Sequence, residues 1–239
     1  MSGEIKTIAR ALRSASLNTL PNGDLTFLQF AGRRLIEKVY DDEELKDQRV
    51  VAVGVRKDST AAYALAKDRT FAVYISDHNT ITASEYDEDS EEWDEAELEG
   101  LGNVSVHDEG HIAVVGVPTM NLVLYQAPDG NIKTVNHEKG SGIWTEGFDV
   151  PGSALFASSG DDNELHAHSR SFITGDWTEE VIPESSFDET IDSIIVAKDK
   201  GRGNFKAYVL SNDTVYNIAK DGSRDTLGQF NQDGDFVPS

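Results

Sequence analysis

Arg10 and Tyr63 stand at the same place in two segments of matching pattern, Thr7 to Arg13 and Thr60 to Ala66. Three further segments of that pattern carry Val114, Leu155 and Ile195 there. A guanidinium or a phenol, where the other copies hold an aliphatic side chain, can donate hydrogen bonds to a ligand oxygen. It can equally pair with an acid or fill a narrow core. On the first alternative Arg10 and Tyr63 are the catalytic candidates, polarising a carbonyl-type oxygen. His166-Ala-His168 puts two imidazoles on one face of a strand, because side chains repeat every two residues. A third ligand at a zinc-like spacing is missing, so no metal is expected. His111 opens one segment and His137 follows another, and polar residues at element ends are favoured places for ligand contact. Trp93, Trp144 and Trp177 offer rings for stacking on a ligand or for packing between sheets. Nine acids between Asp87 and Glu99 lack the glycine and spacing of a calcium loop. They read as a solvated edge that discourages strand-to-strand pairing.

Other chemistries have no signature. There is no Gly-x-Ser-x-Gly, no phosphate loop and no His-Glu-x-x-His, and Gly201-Arg-Gly203 lacks the third glycine of a dinucleotide turn. With no cysteine, disulfides, thiolate catalysis and Cys-ligated zinc are excluded. The formal charge of −22 repels phosphate backbones and anionic lipid, so neither nucleic acid nor a membrane surface is an expected partner. No apolar run approaches the roughly 18–20 residues of a membrane span. Met-Ser-Gly-Glu-Ile-Lys-Thr lacks the apolar stretch of a secretory signal, so a cytoplasmic protein is expected.

The elements that must position these residues are strands. Short runs of Val, Ile, Tyr, Phe and Ala alternate with polar residues and end at turns such as Pro128-Asp-Gly-Asn131 and Lys220-Asp-Gly-Ser223. Ile5, Ile8, Ala9 and Leu12 have helical spacing, but the repeat places a strand there. Five copies begin at Thr7, Thr60, His111, Gly152 and Asp192. Second strands follow at Leu25–Phe30, Phe71–Ser76, Asn121–Gln126, Glu164–His168 and Phe205–Leu210. Third strands follow at Leu35–Tyr40, Ile81–Ser84, Ile132–Val135, Ser171–Thr174 and Val215–Ile218. A fourth opens with Trp93, Trp144 or Trp177 in three copies. Four strands in about 40–50 residues, the first rich in small residues, predict one all-β domain over 1–239: a five-bladed β-propeller of four-stranded antiparallel blades. A β-sandwich or barrel with similar strand spacing is the alternative. Outer propeller edges can pair, so a homodimer is compatible with this fold, although the net charge opposes association.

The repeat resembles the fungal fucose-specific lectins, of which the Aleuria-type lectin is the type member. The resemblance is carried by Leu122-Val-Leu-Tyr-Gln-Ala-Pro-Asp-Gly-Asn-Ile-Lys133 and by Gly142-Ile-Trp-Thr-Glu-Gly147. Those lectins have six blades and hold fucose with an Arg on the second strand, a Glu on the third, and a Trp or Tyr of the next blade. Here the Arg position holds Thr26, Ala72, Leu122, Leu165 and Lys206. The Glu position holds Glu37, Ala83, Thr134 and Asn217, with the fourth copy unassigned. Glu37 and Trp144 are the substrate contacts this pattern offers, and His111 and His137 stay candidates from their places at element ends; that no copy keeps both Arg and Glu argues against fucose binding in the family manner. Similar lectin-like propellers include cofactor-free biosynthetic enzymes that join a tropolone-type quinone methide to a terpene alkene by hetero-Diels–Alder addition. Such a reaction asks only for a pocket that orders two apolar reactants and one or two oxygen-polarising donors. The resemblance thus implies two functions. One is a cofactor-free pericyclase with Arg10 and Tyr63 as donors to a small-molecule substrate. The other is a carbohydrate-binding lectin without catalysis.

Overall fold

A computed structural model describes residues 2–42, 44–57, 59–66, 69–116, 119–129, 132–147, 155–159, 163–170, 177–198 and 205–239. The chain opens with a helix, α1 (Ser2–Leu12), and continues in antiparallel strands. The first sheet is β1 (Ser16–Thr19), β2 (Leu25–Ala31), β3 (Arg34–Asp41) and β4 (Glu44–Val53), joined in that order. The second is β5 (Ala61–Leu65), β6 (Thr70–Ile75), β7 (Ile81–Asp87) and β8 (Glu92–Ala96). The third is β9 (Ile112–Gly116), β10 (Met120–Gln126), β11 (Ile132–Glu138) and β12 (Trp144–Gly147). Three strands, β13 (Leu155–Ser159), β14 (Leu165–Arg170) and β15 (Trp177–Val181), form the fourth sheet among the described residues. The last has five: β16 (Ile191–Lys198), β17 (Phe205–Ser211), β18 (Thr214–Ala219), β19 (Arg224–Phe230) and β20 (Phe236–Pro238). No helix among the described residues is long and apolar enough to cross a membrane.

Two compact units result. One is Ser14–Val150, with the first three sheets; the other is Met1–Arg13 with Pro151–Ser239. In the first unit the opening strands touch in succession, β1 with β5 and β5 with β9. Polar side chains at the seams stitch them: Tyr63 N donates to Ser16 Oγ at 3.2 Å, and Ile112 N donates to Thr60 Oγ1 at 2.7 Å. Apolar faces fill the space between sheets. Leu28, Leu35, Val51, Ala72 and Tyr74 pack the first against the second, and Phe71, Val73, Ile75, Val123, Val135 and Trp144 pack the second against the third.

Two expectations need correction. Thr7 to Arg13 is not an inner strand: Thr7 to Leu12 lies in α1, and the first strand of that sheet is Ser16–Thr19. The helical spacing prevails because a partner exists for it. Ala9 and Leu12 are buried in one cluster with Leu210, Val215 and Phe230. Arg13, just past the helix, forms an ion pair with Asp213 and lies over the Phe230 ring at 3.7 Å. An amphipathic helix is held chiefly by such packing of its apolar face. Leu12→Ala should therefore cost about 2–5 kcal/mol, and an unchanged melting temperature would show that the helix is not docked there. The second correction concerns Trp177. It opens the third strand of its sheet, because β15 pairs directly with β14, Arg170 facing Trp177. The expected third strand at Ser171–Thr174 lies outside the described residues, as do Gly201-Arg-Gly203 and the start of the copy at Gly152.

The expected turn at Lys220–Ser223 is present. Asp221 Oδ1 accepts from Ser223 N at 3.0 Å, and Gly222 adopts φ +88°. A Cβ on Gly222 would sit 2.3 Å from the Pro183 carbonyl oxygen, so both backbone conformation and space call for glycine.

Candidate functional site

Glu37 is the buried charge of the first sheet. Strand β3 buries Leu35 and Ile36 beside it, and the register sets Glu37 opposite Leu28 of β2 and Arg49 of β4. Its carboxylate is only 5% exposed, so it requires partners. The second sheet supplies two. Tyr63 Oη of β5 donates to Oε1 at 2.7 Å, and Trp93 Nε1 of β8 donates to Oε2 at 3.1 Å. Burial, and then the Glu37 charge, push the Tyr63 phenol above its ordinary value, so its proton stays in place.

Arg49 forms the outer side of this cluster. Its Nη1 lies 3.9 Å from Glu37 Oε2, its Nε donates to Asp47 Oδ2 at 2.7 Å, and its Nη1 donates to Tyr86 Oη at 2.5 Å. Burial works against the charge, but Tyr86, Asp47 and Glu37 outweigh it and raise its pKa. The Tyr86 and Trp93 rings lie 5.4 Å apart, both partly exposed, and Tyr63 backs Trp93 at 6.4 Å. The cluster is thus a carboxylate floor, a guanidinium at the rim and an aromatic wall. Thr26 Oγ1 is buried beside the Tyr63 hydroxyl.

A second aromatic cluster lies between the second and third sheets. His137 of β11 is fully buried and stacks on Trp144 of β12 at 4.3 Å and 17°, the two being paired in register. The Phe71 ring meets it edge-on at 4.9 Å. Asn121 Nδ2 lies 3.2 Å from His137 Nδ1.

The sequence candidates therefore separate. Glu37 and Tyr63 share one site; His137 and Trp144 share another, inside the packing. His111 is exposed just before β9. Arg10 is in the last turn of α1, in a different unit from Tyr63, so the pair do not share an inner-strand column. The acids of β7, β8 and their connection line, with Arg69, an open depression of about 660 Å³. Among the described residues no group of His, Cys, Asp or Glu could hold a metal ion.

Arg49, Asp47 and Tyr86 were not candidates in the sequence. A signal for Arg49 existed. The turn at Asp42, with φ 55°, folds β4 back on β3 and brings Arg49 opposite Glu37. An arginine sought on the second strand was instead on the fourth.

No family model matches the sequence, and no curated protein sequence is similar to it. Solved structures are similar. A mutant of AofleA from Arthrobotrys oligospora, with three arginines replaced by alanine, aligns with a TM-score of 0.58 at 17% identity, over 94% of this chain and 78% of that one. A point mutant of the Aleuria aurantia lectin in complex with Fucα1-6GlcNAc aligns with a TM-score of 0.57 at 16% identity, over 93% of this chain and 77% of that one. A further structure of that lectin, described as a six-bladed β-propeller with a novel fucose recognition mode, gives 0.55 at 17% identity, over 93% and 80%. These likenesses show the fold alone: antiparallel sheets arranged as in a lectin-like β-propeller.

Proposed function

We propose that the chain is a carbohydrate-binding propeller of five blades, with a sugar site at Glu37, Arg49 and Trp93. The observation that carries this reading is the convergence of a carboxylate, a guanidinium and an indole from two adjacent sheets. Each has a task in sugar recognition. Arg49 offers a fork of donors to ring or hydroxyl oxygens, the free lone pairs of Glu37 accept from hydroxyls, and the indole and phenol faces pack on the apolar side of a pyranose. These are the residue types of the resembled lectins, with the arginine moved from the second strand, where Thr26 stands, to the fourth. Asp47 and the acids near β8 favour a neutral sugar over a sialylated or sulfated one.

The cycloaddition reading has no observation of its own. Of its two donors, Arg10 lies in a helix and not on an inner strand, and Tyr63 already donates its hydrogen bond to Glu37. Sugar binding is therefore the reading preferred here, and the solved lectins of similar fold support it.

The test is a neutral-glycan array followed by calorimetry. At least one neutral glycan is expected to bind saturably. Arg49→Ala and Trp93→Ala should each weaken it at least tenfold, the size of a lost charge-assisted hydrogen bond. L-Fucose alone should bind with a dissociation constant above about 1 mM, because the second-strand arginine is absent. Wild-type affinity in Arg49→Ala, or no retained glycan at all, would overturn the reading.

A further inference from the structure

The buried imidazole of His137 has a protonation state that its neighbours dictate. Asn121 Nδ2 donates to the Leu65 carbonyl of β5 at 3.0 Å and lies 3.2 Å from His137 Nδ1. An amide nitrogen can only donate, so Nδ1 must accept. The neutral ring then carries its proton on Nε2, which is buried and makes no hydrogen bond. One asparagine thus ties the histidine of the third sheet to the backbone of the second.

We infer that His137, Asn121 and Leu65 form a proton-sensitive latch between the second and third sheets, closed only while the imidazole is neutral. A second proton must go to Nδ1, where it meets the N–H of Asn121. Either that contact breaks, or the amide turns to present its oxygen to Nδ1. If the amide turns, Leu65 loses its donor; if only the contact breaks, the amide loses the imidazole that holds it toward Leu65. The charges around the ring oppose protonation on balance. Arg69 and Lys139 repel a second cation, and Glu85, which attracts one, is held in a two-point pair by Arg69. Phe71, Asn121 and Trp144 bring no charge. The Trp144 face would favour a cation, yet it gives neither N–H an acceptor.

Burial first, and then Arg69, hold the His137 pKa below its ordinary 6.5. The sign follows. The opened state takes up a proton near 6.5, while the closed state resists it to lower pH. The latch is at full strength above 6.5 and weakens as pH falls from there toward the native pKa. Each unit of depression makes a tenfold change in the opening equilibrium.

The inference does not depend on sugar binding, and its test does not use it. The full chain, labelled with 15N-histidine, is titrated from pH 7.5 to 4.5 by NMR. His137 should show the Nε2–H tautomer at pH 7.5 and a pKa under 6.5. Hydrogen-exchange protection in β5 and β10, corrected for intrinsic rates, should fall at least tenfold across the titration while β2 and β3 hold. His137→Phe keeps the stack and removes the proton site, so its protection should not respond to pH. If that variant does not fold, the wild-type titration decides alone. An Nδ1–H tautomer at neutral pH, a pKa at or above 6.5, or a uniform loss of protection over all three sheets would overturn the latch.

Discussion

Trp144→Ala is expected to lower stability by about 3–5 kcal/mol and the melting temperature by roughly 6–20 °C. Trp144 is essentially inaccessible to solvent and packs between the second and third sheets. Its indole stacks on His137 and meets Phe71 edge-on at 5.7 Å, and its backbone N–H donates to the Glu99 carbonyl at 2.9 Å. Removing the ring opens a cavity among side chains already packed by β-sheet register, where little can collapse into it. Trp93 stands at the corresponding place of the second sheet, near the start of its fourth strand and opposite Tyr86, as Trp144 stands opposite His137. It is partly exposed, so Trp93→Ala should cost less, about 1.5–3 kcal/mol, most of it the lost hydrogen bond to a charged Glu37. The two tryptophans are thus expected to trade effects: Trp144 governs melting and Trp93 governs glycan binding. Differential scanning calorimetry on both variants settles it. If Trp93→Ala melts lower than Trp144→Ala, the assignment of roles is reversed.

That contrast marks what could be read from the sequence. The repeating four-strand pattern was legible because the second and third strands are long and apolar; Phe71–Ile75 is buried at every position. The first strand of the first sheet was not. Ser16-Leu-Asn-Thr19 has one apolar side chain, itself exposed, and is held by backbone pairing to β2 and by Ser16 Oγ. Beside so weak a signal, the apolar run of Thr7 to Arg13 matches the repeat better. The helical spacing of Ile5, Ile8, Ala9 and Leu12 was visible, but its partners Leu210, Val215 and Phe230 are about 200 residues away. The site divides in the same way. Glu37 and Tyr63 could be chosen one at a time from their repeat columns. Their hydrogen bond depends on which sheets adjoin, a fact set by long-range packing. His137 read as a residue at an element end, yet register places it against Trp144 and under Phe71, in the core.

Glu37→Leu is expected to cost about 3–5 kcal/mol, as when one partner of a buried charged pair is removed. Leucine fits the space approximately but accepts nothing. It leaves the Tyr63 hydroxyl and the Trp93 N–H facing an apolar side chain, and it removes one of the anions beside Arg49. A stranded buried donor costs about 1–3 kcal/mol. Tyr63→Phe removes one hydroxyl and almost no volume, and should cost about 1.5–3 kcal/mol, the value of a hydrogen bond to a charged group. The decisive quantity is the coupling. In a Tyr63→Phe background there is no phenol to strand, so Glu37→Leu should cost less there by about 1–3 kcal/mol. Urea melts of the wild type, both single variants and the double variant measure this directly. Effects that add to within about 0.5 kcal/mol would mean that Tyr63 and Glu37 are not coupled by a hydrogen bond. The same variants separate structure from recognition. Tyr63 sits behind Trp93 with its proton committed inward, so Tyr63→Phe should leave glycan affinity within about threefold of the wild type. Arg49→Ala, on the exposed side of the same carboxylate, should lose tenfold or more. If Tyr63→Phe abolished binding while folding normally, the phenol would be a direct ligand contact, and the floor of the site would lie deeper than Glu37.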